Sequence, residues 1–321
     1  MLNFFLTLIV IFFLSGCSKE NEITEFDYKY ERIDSLHVLF TLYDNLNNSF
    51  EIDTSGNFYF THSTENLISK YSHEGDLIKK VGGIGKGPGE YEEDKIIIIE
   101  LNAGLLLAHT YGGVIINMYN LELELLNSIT TEDLVVSAKS LGSNYLLTYY
   151  LNDQNNFIEI KNAEFEVVTS INSLVTERNK FYRNLYKIII LDDEEYLVSY
   201  LAINKILKLS VGTHEPETEF IIPGIKQYSP SNKELPGGPP TSLLIRDIIY
   251  NSLTEELYVV EGNHERNDGS NRIHVISIDG SYKKTYLLPV KIDLIGIYTQ
   301  TLYGLSFVNG EVKVIKIGKL K

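Results

Sequence analysis

Cys17 is the only cysteine of the 321-residue chain, and it closes the tetrapeptide Leu14-Ser15-Gly16-Cys17. The stretch from Leu2 to Leu14 is uncharged and largely apolar. That is the length of a signal-peptide core and too short for a membrane span of ~20 residues. A small-residue pair followed by Cys at the point of cleavage reads as a lipobox, with Cys17 lipidated as the first mature residue. Residues 1–16 are then a lipoprotein signal peptide, 17–35 the lipidated Cys and a tether, and 36–321 the folded body. An ordinary cleaved signal peptide with a chance Cys, or a short anchor, would share the apolar run. No Lys or Arg precedes that run, so its positive end is left to the α-amine or to a start further upstream.

Lipidation consumes the one thiol, which leaves neither a disulfide nor a Cys nucleophile. No Gly-x-Ser-x-Gly elbow occurs. The loop from Gly82 to Tyr91 is glycine-rich but lacks the Lys-Ser/Thr pair that opens a helix in a P-loop, so it reads as a compact crossover rather than a phosphate cradle. The histidines His62 and His109 stand at the ends of apolar runs and are expected to be ordinary exposed side chains, since one zinc would need both within about 2.1 Å. Neither a metal nor a cofactor is expected. Carboxylates able to act on a glycan, Asp247 among them, are abundant in a chain with 43 acidic residues.

Arginine is the more selective signal. Five of the six, Arg178, Arg183, Arg246, Arg266 and Arg272, lie in or beside the long polar connections. Their planar forks suit carboxylate or phosphate. The competing reading pairs them with Glu177, Asp247, Glu265 and Asp268 nearby. The chain as a whole carries −15 with a pI near 4.9, a balance that repels phosphate backbones and excludes general nucleic-acid binding.

The elements that must position these residues are short strands. Apolar runs of four to eight residues, rich in Ile, Val, Leu, Tyr and Phe, alternate with Gly-, Asn- and Asp-bearing turns. The first unit holds Ser49–Ile52, Phe58–Thr61, Leu67–Tyr71 and Leu77–Val81, and the pattern recurs at a spacing that signals a propeller. The second unit ends on Leu125–Ile129 and the third begins at Leu134–Ala138. A sixth unit has only three strands, ending at Ile317, and the unpaired stretch Val38–Leu42 fits its vacancy. The expected fold is all-β, a six-bladed propeller of four-stranded antiparallel blades closed by that N-terminal strand. Seven blades is the alternative, with one irregular blade inside 172–186 or 223–243. In such a ring the long connections gather on one side and the tight glycine turns on the other, and rigid scaffolds place binding sites on such loops.

The run Gly82-Gly83-Ile84-Gly85-Lys86-Gly87-Pro88-Gly89-Glu90-Tyr91, following Glu74-Gly75-Asp76 and Leu77–Val81, resembles the signature of the six-bladed β-propeller lipoproteins of Bacteroidota. The family is distantly similar to NHL-repeat and TolB-like propellers. The resemblance implies an envelope location, outer-membrane and either periplasmic or surface-facing, and the polar run Ser18–Glu22 resembles the acidic stretch that some of these lipoproteins carry after the lipidated Cys. The expected function is a non-catalytic, membrane-tethered module that binds a ligand or protein partner, with an anionic glycan or peptide as the favoured class. The expected contacts are Lys86, Glu90, Tyr91, Arg178, Arg183, Arg246 and Arg266. A glycan-directed hydrolase or lyase using channel carboxylates is the alternative.

Overall fold

A computed structural model describes residues 28–43, 46–62, 64–91, 96–102, 104–151, 155–172, 186–213, 215–225, 243–262, 269–308 and 310–320. Two short strands come first, β1 (Tyr30–Arg32) and β2 (His37–Leu42). A four-stranded meander follows: β3 (Leu46–Ile52), β4 (Phe58–His62), β5 (Leu67–Tyr71) and β6 (Leu77–Gly82). Next are β7 (Ile97–Asn102), β8 (Leu105–Thr110), β9 (Gly113–Asn120), β10 (Leu125–Leu141), β11 (Asn144–Leu151), β12 (Asn155–Lys161) and β13 (Val167–Asn172), in one seven-stranded sheet. β14 (Tyr186–Ile190), β15 (Glu195–Tyr200), β16 (Lys205–Ser210) and β17 (Thr218–Phe220) make another meander. β18 (Ile245–Asn251), β19 (Glu256–Gly262), β20 (Gly269–Ser277) and β21 (Tyr282–Ile292) make the next, with β1 added in parallel outside β21. β22 (Leu294–Tyr298), β23 (Thr301–Val308) and β24 (Glu311–Lys319) complete the chain, and β2 pairs antiparallel with β24.

The seven-stranded sheet departs from the sequence expectation, which separated Leu125–Ile129 from Leu134–Ala138. The link Thr130-Thr131-Glu132-Asp133 has no Gly or Pro, so the backbone stays extended and one strand, β10, serves both ends. Its ladder to β9 slips between Thr130 and Val135, where its ladder to β11 begins at Leu134. Thr131 fastens the bend by donating to the Val114 and Asp133 carbonyls at 3.1 and 2.8 Å.

The strands β3, β7, the later half of β10, β14, β18 and β22 neighbour one another in that order, and β22 returns to β3. The sheets therefore stand around a common axis as the four-stranded blades of a β-propeller. Its apolar core is divided between facing blades. Phe50, Phe58 and Phe60 pack on Tyr303, Leu305 and Val314 at one junction, and Leu146, Ile158 and Ile160 on Ile188, Tyr196 and Val198 at another. With no Trp in the chain, Tyr and Phe supply the large buried surfaces, each contributing several kcal/mol of transfer free energy.

One turn recurs between the third and fourth strands. In Ser72–Asp76, Asn120–Glu124 and Asn162–Glu166 the first side chain accepts from the amides two and four residues on. The fourth residue takes a positive φ: Gly75 at 92°, Leu123 at 54°, Phe165 at 63°, and Gly280 at 85° in the matching turn Ser277–Ser281. Gly75 also lies under Phe40 of β2, where a Cβ would come within 2.6 Å of the ring. Gly280 lies under Phe220 of β17 in the same way, at 2.8 Å. The stretch Tyr30–Arg32, inside the expected tether, is docked rather than loose: its ladder to β21 is extended by Thr285 N–H to Lys29 O and Ile33 N–H to Leu287 O, both at 2.9 Å.

Candidate functional site

Five of the inner strands bring one ionisable side chain each to the axis: Glu51 from β3, Glu100 from β7, Lys139 from β10, Lys187 from β14 and Asp247 from β18. Glu100 and Lys187 stand in apolar stretches, Ile97-Ile98-Ile99-Glu100-Leu101 and Tyr186-Lys187-Ile188-Ile189. Strand alternation turns each of the five toward the next blade. Glu51 hydrogen-bonds Glu100, and Glu100 forms an ion pair with Lys139. On the other arc Lys187 Nζ meets Asp247 Oδ1 at 2.6 Å. Asp247 also accepts from its neighbour Ile248 N–H at 2.9 Å and, across the junction, from Ile295 N–H of β22 at 2.8 Å. The result is a belt of charge that ties successive blades together.

Burial decides which members are charged. Desolvation, then the carboxylate of Glu100, pushes the Glu51 carboxyl well above its ordinary range, with Lys139 and Lys187 only partly opposing them. Glu51 is therefore a neutral acid donating to Glu100, because two adjacent carboxylates cannot both ionise in a desolvated site. Desolvation disfavours the Lys187 ammonium, yet Asp247, then Glu100, outweigh it and raise its pKa above the ordinary lysine value. The Asp247 side chain is 4% exposed and that of Lys187 34%. With Glu51 protonated, two carboxylates face two ammonium groups and the belt is neutral.

This balance has a consequence for stability. Glu51 keeps its proton in the fold but loses it in the unfolded chain above about pH 4.3. Its contribution is thus complete below about pH 4.3 and lost as pH rises through the raised folded value. Glu51→Gln keeps a donor toward Glu100 with no proton to surrender. Its melting temperature is expected to exceed the parent's at about pH 8 by a few degrees, at about 2–4 °C per kcal/mol, and to match it near pH 4. A variant that melts at or below the parent at the higher pH would mean that Glu51 is ionised.

Of the residues singled out from the sequence, Glu90 and Tyr91 act inside their own loop. Glu90 Oε2 accepts from Gly87 N–H at 2.7 Å and lies where any side chain at Gly85 would have to be. Tyr91 is buried, its N–H on Gly83 O at 2.8 Å and its hydroxyl 3.1 Å from that of Tyr119. Lys86 stands exposed at the tip. Arg246 is in another sheet, at a bulge where β18 skips a register against β19. Its Nε is 3.9 Å from Asp293 Oδ1 rather than beside Asp247, which is held by Lys187. Arg272 reaches Glu261 at 3.6 Å. Cys17, Arg178, Arg183 and Arg266 fall outside the described residues.

His62 and His109 correct the expectation of exposed side chains: both are buried, at 1% and 0% exposure. The end of a second strand is covered by its neighbours on both sides and by the next blade. His62 Nε2 lies 2.7 Å from Ser69 Oγ, and burial pushes the His109 pKa down to about 4. The belt itself escaped the sequence reading except for Asp247. Part of its signal was a single acid or lysine set in an apolar inner strand, as with Glu100 and Lys187.

No family model matches the chain, and no curated protein matches it. Solved structures do. A luciferin-regenerating enzyme superposes with a TM-score of 0.54 at 10% identity, over 86% of this chain and 92% of the other. Virginiamycin B lyase from Staphylococcus aureus gives 0.52 at 12% identity over 84% and 82%. The β-propeller domain of Myceliophteria thermophila Cps50 (Swd1) gives 0.51 at 10% identity over 88% and 100%. At such identities the likeness establishes the propeller fold and nothing about chemistry.

Proposed function

We propose that this chain is an envelope-anchored, non-catalytic propeller lipoprotein that binds an anionic ligand or a protein partner through its loop-rich side. The observation that carries the reading is the distribution of connections. The segments 83–96, 173–185, 221–244 and 263–268 all join strands at one end of the blades, whereas the turns at 53–57, 72–76, 121–124, 162–166 and 278–281 lie at the other. Arg178, Arg183, Arg246 and Arg266 fall in or next to the first set, as does Lys86. The belt at the axis has its charges already matched, whereas Lys86 of the first set stands exposed.

The ring is read as six blades, the seven-stranded sheet counting as two because its ladders change partner in the middle of β10. Six apolar clusters, one per junction, support that count. The shared placement of Phe40 over Gly75 and Phe220 over Gly280 supports β2 as the outer strand of the last blade. The Gly82–Tyr91 run and the lipobox support membership in the Bacteroidota propeller lipoproteins and an outer-membrane location.

The second reading, a glycan-directed hydrolase or lyase, rests on Glu51, a carboxyl held neutral as a general acid must be. Against it, Glu51 and Glu100 are in hydrogen-bond contact, whereas glycosidase carboxyls stand about 5 Å or more apart.

Cys17→Ala is expected to move the protein from the membrane fraction to the soluble one, and sedimentation unchanged after a carbonate wash would refute the anchor. The soluble form, screened against uronic-acid oligosaccharides and acidic peptides, is expected to bind one class with a salt-sensitive affinity that Lys86→Ala reduces. Turnover of chromogenic glycosides lost in Glu51→Gln would replace this reading with the second.

A further inference from the structure

The outermost strands of a propeller expose backbone donors and acceptors that proteins normally guard. Here β6 carries Lys79 and Lys80, β17 is only three residues long and includes Glu219, and β21 is covered by β1. The outer half of β10 slips register between Leu125 and Asn127, and β2 between Val38 and Phe40. β13 differs. Its six residues, Val167-Val168-Thr169-Ser170-Ile171-Asn172, carry no charge, and Val167 and Val168 are 51% and 56% exposed. The ladder to β12 is irregular only at Val168 and regular from Thr169 to Asn172.

Beside this edge a cleft of about 390 Å³ opens between β13 and the bend in β10. Ile129, Phe165 and Val167 give it an apolar floor, and Glu132, Asp133 and Glu159 line it with carboxylates. Among the described residues lining it Lys161 is the one cation, 3.2 Å from Glu159, so Glu132 and Asp133 leave that lining with net negative charge. The chain itself demonstrates the mode of occupation on the blade at β21. There β1 adds along the edge over three residues, and Glu31 pairs with Lys284 across the new ladder at 3.0 Å.

We propose that the β13 edge and the acidic cleft beside it form a strand-addition site for an extended, lysine- or arginine-bearing segment of a partner protein. An added strand takes its affinity from main-chain hydrogen bonds along β13. Alternate side chains of that strand fall over the cleft, where a lysine ammonium meets Glu132 and Asp133 while its methylene stem covers Val167. A second copy of this chain is a poor occupant, since it would bring the same carboxylates and a β13 with no cation of its own.

The test uses the full chain in detergent and a fluorescein-labelled decapeptide alternating lysine with valine and threonine, read by fluorescence anisotropy. The wild-type protein is expected to bind it with a submillimolar Kd, and the glutamate version of the peptide at least about tenfold more weakly. Glu132→Lys/Asp133→Lys should lower affinity for the lysine peptide by a similar factor. Val168→Lys, which guards the edge without touching the two acids, should lower it too, and so should a peptide N-methylated at alternate residues. All are surface changes, and an unaltered melting temperature shows that they fold. Equal binding of both peptides, equal binding by the charge-reversed variant, or no binding up to about millimolar peptide would overturn the proposal. So would a dimer of the wild-type chain that Val168→Lys dissociates, because the occupant would then be a second copy.

Discussion

Asp247→Asn is expected to cost about 3–5 kcal/mol of stability, the range for removing one partner of a buried ion pair. At about 2–4 °C per kcal/mol the melting temperature should fall by roughly 10 °C. The size follows from how many groups Asp247 satisfies at once. Its two oxygens accept from Lys187 Nζ, Ile248 N–H and Ile295 N–H, whereas an amide has one acceptor oxygen and directs its NH2 at a donor. The Lys187 ammonium is left without the carboxylate it touches. Adding Lys187→Met to Asp247→Asn removes that stranded charge, so the double variant should be more stable than Asp247→Asn alone, although each change by itself destabilises. Urea denaturation of the four proteins gives the coupling directly. A loss below about 1 kcal/mol for Asp247→Asn would mean that the belt does not hold the blades together.

Removal of residues through Asp44 should have the second large effect. It deletes β1 and β2 together and uncovers β24, whose Val312, Val314 and Ile315 pair with Leu42, Phe40 and Val38. Phe40 is lost from an aromatic group in which its ring lies 5.4 Å from Phe58 and 6.4 Å from Tyr71. An apolar edge of that kind is a template for pairing with other chains. The truncated body is therefore expected to aggregate or to unfold without a cooperative transition, as followed by light scattering during a melt. A monomeric product that melts with the parent would show that the ring does not depend on β2. Removing only residues through Ile33 should be mild, since β2 and the Phe40 contacts remain.

What could be read in the sequence was whatever is encoded within a few residues. Apolar runs such as Phe58-Tyr59-Phe60 and turns such as His73-Glu74-Gly75-Asp76 declare strands and their ends locally, and so the repeat of short strands was visible. The equivalent turns at Asn120–Glu124 and Asn162–Glu166 were less so, because Leu123 and Phe165 take the positive φ that glycine advertises. There the Asn side chain fixes the turn, and burial of Leu123 offsets a backbone cost of about 1 kcal/mol. β10 ran on through Thr130–Asp133 since no residue there breaks a strand. Tyr30-Glu31-Arg32 has no apolar run, and it is a strand only because β21 offers it an edge. The belt was hidden for a different reason. Glu51, Glu100, Lys139, Lys187 and Asp247 lie some 40 to 60 residues apart, so their relation exists only once the ring has closed. For the described arginine Arg246 the competing reading named the adjacent carboxylate, because only sequence neighbours are visible in a sequence. Arg246 finds Asp293, from the next blade, instead of the adjacent Asp247.

The direction of β1 also determines how the protein would respond to being pulled by its N-terminal end. β1 runs parallel to β21, and its first residues lie at the side of the tight turns. A load applied there acts along the ladder, so the three rungs of β1 and the Glu31–Lys284 pair bear it together as shear instead of peeling apart in turn. When they yield, residues 28–36 pay out as slack, roughly 30 Å at about 3.3–3.6 Å per residue, while β2 stays on β24 and the blades remain in place. Under such a load the N-terminal end would have two settings, a short stiff one and a long loose one, with the propeller intact in both.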